Sequence, residues 1–276
     1  MKVWSNTGDL LTVATIENVI DLTFTPDGQS ALILAQPTAS ASVYQWDIAT
    51  NTLTETHIPK DWAQVADITL SSDGNTLAIA SHTDLQLINT ATWDEVINDE
   101  AGIENVAFHP TIPNMITSLS DASLGILDLQ NESVVANWRP DTNETDLLFS
   151  PDGNSIATVL INEVIIRQAD DPTLPNMRIG GQLEYNISNV VYSPNAQLIL
   201  VSYLTQGRIE FWRSQTGELI HIMDYAHTED IHDIAFHPSG DYFATTSDDD
   251  TLQVHHVTTY EVVVNINLAD VGISQL

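Results

Sequence analysis

The stretch VIDLTFTPDG, residues 19–28, decides the fold, because related stretches recur along the chain. Each joins alternating apolar residues to an aromatic residue or leucine and then to a tight turn. Apolar residues that alternate with a period of two between turn residues indicate half-buried β-strands. The repeats are about 42 residues apart on average, a period typical of repeat architectures. Their turn positions are Pro26, Ser72, Pro110, Pro151, Pro194 and Pro238.

Three more strand patterns follow the turn in every repeat. In the last repeat they read DYFATTS, TLQVHHV and TYEVVVNI. Four antiparallel strands in about 42 residues make one blade of a β-propeller. We therefore predict an all-β fold, a β-propeller of four-stranded antiparallel blades, as a single domain over 1–276. The six complete blades are predicted at 17–60, 63–99, 102–140, 143–181, 184–226 and 229–269.

The two ends of the chain do not make whole repeats. Residues 1–16 match the third and fourth strands of a blade, and residues 270–276 match the start of a first strand. This pattern predicts an incomplete seventh blade, which about 20 further residues would complete to close the ring and remove exposed sheet edges. We expect either a fragment of a longer gene product or a native chain whose ring closes imperfectly or with a partner strand.

These repeats resemble the WD40-repeat family. The resemblance rests on the SPDG-like turns, on Trp46-Asp47 and Phe211-Trp212 at the ends of third strands, and on TSDDDTLQV at 246–254; TolB-like and lactonase-like propellers share similar turns. It implies a structural tetrad of His, Ser or Thr, Asp and Trp. Here His255 and Leu127 stand where Trp is expected, and Gln206 stands where Asp is expected. The matching residues are His227, Thr245 and Asp249 in the last repeat, Ser202 and Trp212 in the fifth, Thr117 and Asp121 in the third, and Trp46 in the first.

The composition is unusual in its basic residues. The chain has 38 Asp and Glu but only 7 Lys and Arg, and its formal net charge is −31. So few basic side chains argue against binding nucleic acid, since basic groups must displace counterions from phosphate, and against docking on anionic lipid. The sequence shows no signal peptide and no apolar run long enough to insert in a membrane, so we expect a soluble chain of unspecified compartment.

The sequence contains no recognisable catalytic or cofactor motif. There is no Cys, no G-x-S-x-G, no phosphate-binding glycine loop and no HExxH, so we predict no cofactor and no enzymatic activity. His255 and His256 are adjacent on a strand and cannot chelate one metal ion, because their side chains point to opposite faces. Asp248, Asp249 and Asp250 are interpreted as a turn, with a weak cation site as the alternative.

One polar position recurs in every first strand, three residues before the aromatic residue or leucine. We expect these side chains to form a ring at one mouth of the channel, because the first strand of a propeller blade is innermost. They could accept backbone N–H bonds from a neighbouring blade, attract a cation or a basic partner, or do both. The position is occupied by Asp21, Asp67, Asn105, Asp146, Asn189 and Asp233.

Two functional hypotheses remain open. The first is a non-enzymatic scaffold that binds a protein or peptide, basic or neutral, through its loop faces, either by itself or as part of a longer multidomain chain. The alternative is a propeller enzyme of the lactonase or hydrolase type with a metal ion in the central channel. The alternative needs one asymmetric set of ligands, whereas each blade repeats the same residue type.

Overall fold

The computed structural model describes most of the chain, as strands and turns without a helix. None of the described residues therefore forms an apolar helix able to cross a membrane. The chain divides into two compact units, unit 1 (Met1–Pro140) and unit 2 (Asp141–Leu276). The described residues are 2–4, 10–13, 16–36, 41–57, 65–81, 84–99, 105–113, 115–120, 123–131, 133–138, 145–172, 177–181, 185–204 and 207–268.

Unit 1 contains a two-stranded sheet and three four-stranded blades. The two-stranded sheet is β1 (Lys2–Trp4) and β2 (Leu10–Val13). Blade 1 is β3 (Val19–Phe24), β4 (Ser30–Ala35), β5 (Ser42–Asp47) and β6 (Thr52–His57). Blade 2 is β7 (Val65–Leu70), β8 (Thr76–Ser81), β9 (Leu85–Asn89) and β10 (Glu95–Asp99). Blade 3 is β11 (Asn105–Phe108), β12 (Met115–Ser120), β13 (Ser123–Asp128) and β14 (Ser133–Trp138).

Unit 2 contains three more four-stranded blades. Blade 4 is β15 (Asp146–Phe149), β16 (Ser155–Val159), β17 (Glu163–Gln168) and β18 (Met177–Gly180). Blade 5 is β19 (Ile187–Tyr192), β20 (Leu198–Tyr203), β21 (Ile209–Arg213) and β22 (Leu219–Met223). Blade 6 is β23 (Ile231–Phe236), β24 (Tyr242–Ser247), β25 (Thr251–His256) and β26 (Val262–Asn267).

Every blade pairs its strands in chain order, each antiparallel to the next. The predicted fold class, an all-β propeller of four-stranded blades with six complete blades, is confirmed. The sheet of β1 and β2 has the two strands expected at the N-terminus, whereas the predicted strand start in residues 270–276 lies outside the described residues. The single-domain boundaries stay a prediction.

In blades 1, 2, 4, 5 and 6 the turns between the first two strands share one pattern of backbone bonds. In blade 1, Gly28 N donates to Thr25 O at 2.8 Å. The Asp27 carboxylate accepts hydrogen bonds from Gln29 N and the Thr25 hydroxyl, and these bonds lower its pKa below the usual range. Gly74, in the turn of blade 2, has a φ of +75°, and a Cβ there would lie 3.1 Å from Pro26 Cδ. Glycine is therefore required at that turn for backbone conformation and for space.

The core lies on the second and third strands. All six residues of β4 are buried, as are Ile199, Leu200 and Val201 of β20. A strand buried on both faces is apolar without alternation, which explains sequences such as SALILA. Apolar clusters then join neighbouring blades, and one of them packs Leu32 and Leu34 of blade 1 with Ile68 and Leu77 of blade 2.

Candidate functional site

The recurring first-strand polar position lies at a defined irregularity of the backbone. In blades 1, 2, 5 and 6 the register with the second strand shifts immediately before it, between Val19 and Asp21 in the first case. In blades 3 and 4 the first strand begins at this position, at Asn105 and Asp146. A β-bulge redirects the side chain that follows it, so the bulges set where these polar groups point.

In unit 1 the carboxylates at this position join the first strands of successive blades. Asp21 accepts hydrogen bonds from Leu22 N at 2.7 Å and from Ile68 N, in blade 2, at 3.1 Å. Asp67 in turn accepts from Val106 N, in blade 3, at 3.0 Å. Each carboxylate therefore satisfies a backbone donor on the first strand of the next blade, which is an edge strand of its sheet. A carboxylate that accepts such bonds keeps its negative charge.

In unit 2 the same position makes related contacts. Asp146 accepts from Leu147 N at 2.7 Å. Asn189 Nδ2 donates to Asp233 Oδ1 at 2.8 Å, and Asp233 Oδ1 also accepts from Ile234 N at 2.8 Å. Here an amide and a carboxylate link blades 5 and 6 directly. The residues have an architectural role in each unit, while their predicted arrangement as one ring stays a prediction.

Blade 6 contains a complete hydrogen-bonded tetrad. His227 Nδ1 lies 3.0 Å from Asp249 Oδ2, and His227 Nε2 lies 2.7 Å from Thr245 Oγ1. Thr245 Oγ1 lies 3.2 Å from His255 Nε2. The chain of bonds fixes the tautomers: His227 donates through Nδ1 to the carboxylate, Thr245 donates to His227, and His255 donates through Nε2 to Thr245. Sequence comparison identified three members, and His255 supplies the bond expected from Trp.

His255 is fully buried, whereas His256 on the opposite face is only half-buried. The ring of His255 stacks on Phe243, with centroids 4.8 Å apart. Its Nδ1 atom has no hydrogen-bond partner among the described residues. Burial, and to a lesser extent the nearby His227, lower the pKa of His255 to about 4. The imidazole is therefore neutral at neutral pH, and its Nε2–H form can still donate to Thr245.

The fifth repeat does not form the expected pair of Ser202 and Trp212. Trp212 pairs in register with Ile199, and Ser202 pairs with Ile209. In blade 6, His255 pairs with Phe243, and the tetrad residue Thr245 stands two positions further along the second strand, on the same face. The equivalent residue in blade 5, two positions beyond Ile199, is Val201. Ser202 instead bonds the Ser188 hydroxyl at 2.8 Å. The expectation from the resemblance was off by one residue here.

Trp212 belongs to a buried polar cluster that sequence reasoning missed. The Glu210 carboxylate accepts from Trp212 Nε1 at 3.1 Å and from the Tyr203 hydroxyl at 2.7 Å. Arg208 donates to it through Nη2 and Nε at 2.8 and 3.1 Å and reaches Asp224 at 2.6 Å. Burial and the bond to Glu210 raise the pKa of Tyr203 far above its ordinary value. Side chains with polar groups at the alternating positions 208, 210 and 212 are the sequence signal that could have indicated this cluster.

The first and third repeats also depart from the tetrad. Trp46 is fully buried and donates to Asn51 Oδ1 at 3.0 Å, so its partner is an amide of its own turn. Thr117 lies in β12 opposite Ile126. The side chain of Thr117 and the whole of Asp121 lie outside the described residues.

Blade 4 has a buried arginine at the tetrad position of the third strand. Arg167 pairs with Ile156, as His255 pairs with Phe243 in blade 6. Its Nη1 donates to Thr158 Oγ1 at 2.5 Å, and Thr158 is the counterpart of Thr245. Sequence reasoning missed Thr158, because neither Trp nor His stands at the tetrad position of the third strand in blade 4.

The three aspartates at 248–250 turn to different partners. Asp248 contacts His232 Nε2 at 2.6 Å, Asp249 belongs to the tetrad, and Asp250 is exposed with a φ of +60°. Their contacts agree with the interpretation as a turn. Within the described residues, no three His, Asp or Glu side chains are grouped as metal ligands.

The loops at the tetrad end of blade 6 form an acid-rich surface, here called the acidic loop surface. Asp248 N donates to Asp230 O at 3.0 Å, and Thr228 N donates to Asp249 Oδ2 at 3.0 Å, so loop 224–230 and turn 248–250 lie side by side. All but one of its carboxylate residues are exposed, and Asp230 is half-buried. The surface comprises Asp224, Glu229, Asp230, Asp233, Asp248 and Asp250.

Comparison with known proteins identifies the repeat that carries this tetrad. Residues 217–256 match the family model of the WD domain, G-beta repeat, a stretch that includes His227, Thr245, Asp249 and His255. The chain carries a WD40 repeat. The resemblance expected from the SPDG-like turns is thereby confirmed, and the matched repeat covers β22 of blade 5 and β23 to β25 of blade 6.

Curated relatives are similar to this chain over stretches longer than that repeat. The protein HIR1 of Yarrowia lipolytica is 28% identical over 127 residues, which cover 40% of this chain and 12% of that protein. The protein hir1 of Schizosaccharomyces pombe is 27% identical over 136 residues, covering 43% and 14%. An uncharacterized WD repeat-containing protein of Synechocystis is 26% identical over 132 residues, covering 48% and 37%. The matched stretch is thus well under half the length of each relative.

Proposed function

We propose that this WD40 propeller is a non-enzymatic scaffold that binds a basic protein or peptide at the ends of its first strands and on the acidic loop surface. Blades of this kind hold their strands rigidly and present their loops, so binding falls to the loops. WD-repeat propellers typically mediate protein interactions, and the preference for a basic partner is specific to this chain.

The observation that carries the proposal is the excess of carboxylates over basic groups among the described residues at this end of blade 6. The basic side chains described near the acidic loop surface, Arg208, His227 and His232, already contact carboxylates. Arg208 is paired with Glu210 and Asp224, and His232 contacts Asp248. The chain as a whole has 38 acidic and 7 basic residues. A field of one sign steers an oppositely charged partner and speeds its association.

An exposed aromatic residue stands within the same loop. Tyr225 is 73% exposed and adopts a φ of +62° between Asp224 and the buried His227. Exposed Tyr residues are frequent energetic centres of interfaces, and an aromatic face beside carboxylates also attracts Lys and Arg. Tyr225 therefore supplies an apolar contact at the centre of the charged surface.

The test measures binding of a fluorescent Lys/Arg-rich peptide by anisotropy at about 0.05 M and about 0.5 M salt. One variant changes Asp21, Asp67, Asp146 and Asp233 to Asn. A matched control changes Asp27, Asp73, Asp152 and Asp241, the turn acids of the same four blades, to Asn. Both series remove the same charge. Both also introduce a residue that the fold accepts. Asn189 occupies the first-strand position, Asn195 accepts in blade 5 the turn bonds that Asp27, Asp73 and Asp152 accept, and Asn75 and Asn154 stand at the place of Asp241.

The first variant should bind the peptide about tenfold more weakly or worse, and the control should lose much less. Binding by the native chain should also weaken at the higher salt concentration. Equal losses in the two series would show that the first-strand carboxylates are only architectural. Salt-independent binding would contradict the electrostatic part of the proposal.

A further inference from the structure

The tetrad of blade 6 connects three parts of the chain through side-chain hydrogen bonds. His227 lies in loop 224–230, Asp249 in turn 248–250, and Thr245 and His255 on the central strands. Asp249 also accepts bonds from Thr228 N and from the Thr251 hydroxyl, which lower its pKa against the effect of burial. The four side chains therefore hold together the two segments of the acidic loop surface.

We propose that this tetrad is a pH-sensitive clamp, in which protonation of His255 at Nδ1 opens loop 224–230 and turn 248–250. The proposal deepens the proposed function, since those segments form the acidic loop surface. A proton on Nδ1 would create a fully buried cation without an acceptor among the described residues. Such a group is costly unless water reaches it, and opening the clamp provides that access.

Few other titratable groups surround His255. His227 is reached through Thr245, and Asp249 lies beyond His227. His256 is on the opposite face of β25, and His221 of β22 stacks on Tyr260 at 3.6 Å. The remaining neighbours are uncharged: Phe243 stacks on the ring, Val262 is its partner on β26, and Phe211 of blade 5 packs on Phe243. None of these neighbours offers a carboxylate to Nδ1.

The sign of the pH effect follows from the neutral buried state. The folded-state pKa of His255, about 4, lies below the ordinary value of about 6.5. The opened or unfolded state therefore binds the proton first as pH falls. The stabilising effect of neutral His255 is complete above about pH 7.5 and decreases below about 6.5. At about pH 5 the closing equilibrium should be roughly 30-fold smaller than at about pH 7.5.

The experiment compares hydrogen exchange of the native chain and of His255→Trp at the same pH, so that intrinsic exchange rates cancel. The quantity compared is the exchange rate of the amides of 225–230 and 248–251 in the native chain divided by that in the variant. This ratio should be roughly 30-fold larger at about pH 5 than at about pH 7.5. If Trp is too large to fold at this position, His255→Phe also removes the proton site. His237→Gln, on the exposed turn between β23 and β24, is the control.

A second readout separates the clamp from the partner. The tautomer and charge of His255 are measured by nitrogen-15 NMR, and the ring should stay neutral in its Nε2–H form down to about pH 5. An ordinary titration near 6.5, or equal acid sensitivity in native and variant chains, would overturn the clamp. If the basic peptide fails to bind at any pH, the proposed function fails while these measurements still decide the clamp.

Discussion

Replacing Glu210 by Gln should destabilise the protein strongly, because the carboxylate is the common acceptor of a buried cluster. Its side chain is 5% exposed, and that of its ion partner Arg208 is 14% exposed. One oxygen accepts two bonds from Arg208, and the other accepts from Tyr203 and Trp212. A glutamine has one acceptor and one donor group, so either Arg208 or the two aromatic donors would face an N–H group.

The magnitude follows from the groups left without an acceptor. A buried donor that loses its partner costs about 1–3 kcal/mol, and breaking one side of a buried ion pair costs about 3–5 kcal/mol. We expect Glu210→Gln to lower the free energy of unfolding by about 3–5 kcal/mol. The loss is measured by urea unfolding at neutral pH, followed by Trp fluorescence, since Trp212 lies in the cluster.

Glu218 provides the matched control in the same blade. It pairs with Arg213 at 2.9 Å, but the two side chains are 65% and 55% exposed. Exposed pairs contribute about 0–1 kcal/mol, so Glu218→Gln should change stability by no more than that. The reasoning is refuted if Glu210→Gln and Glu218→Gln differ by less than about 1 kcal/mol, since the cluster would then add nothing beyond a surface ion pair.

Three further changes follow from the contacts. Gly207→Ala should destabilise blade 6 and raise the hydrogen-exchange rates of loop 224–230, because Gly207 has a φ of +56° and an added Cβ would lie within 2.6 Å of His227 N. Gly217→Ala should destabilise the protein less, since its added Cβ would meet the flexible side chain of Met177 instead. Thr245→Val should cost about 1–3 kcal/mol in urea unfolding by leaving His227 and His255 without their shared partner, and Thr245→Ser should restore most of it. Asp67→Ala should cost about 1–3 kcal/mol, since Val106 N is left unsatisfied, whereas Asp67→Asn should cost less.

The blade architecture was predictable from sequence because its signals are local. Alternation with a period of two, and turns such as TPDG at 25–28, depend on neighbouring residues only. Side-chain partners depend on register, which a sequence specifies less directly. Ser202 and Val201 differ by one position, yet they point to opposite faces of β20. The serine was predicted to be the partner of Trp212, and the register excludes it.

The first-strand polar position was also predictable, since it recurs at a fixed distance from the turn. Its partners were not, because Asp21 and Ile68 are 47 residues apart. Asp21 accepts both from Leu22 N of its own strand and from Ile68 N of the next blade. A first strand is an edge strand, whose outward N–H groups have no partner in the ladder, and a short carboxylate nearby is a simple acceptor for such a donor.

One rule describes which residue occupies the tetrad position of the third strand in the six blades. At the equivalent place on the third strand, blades 2 and 3 carry apolar residues that need no partner, while the other four blades carry a buried donor. In each of these four side chains one N–H donates within its own blade: Trp46 to Asn51, Arg167 Nη1 to Thr158, Trp212 to Glu210, and His255 to Thr245. Burial demands a satisfied donor but not one particular acceptor. Among the described residues, the full chain of four bonded side chains occurs only in blade 6, where Thr245 also ties two loop segments together through His227. The six equivalent residues, identified by their register with the second strand, are Trp46, Ile88, Leu127, Arg167, Trp212 and His255.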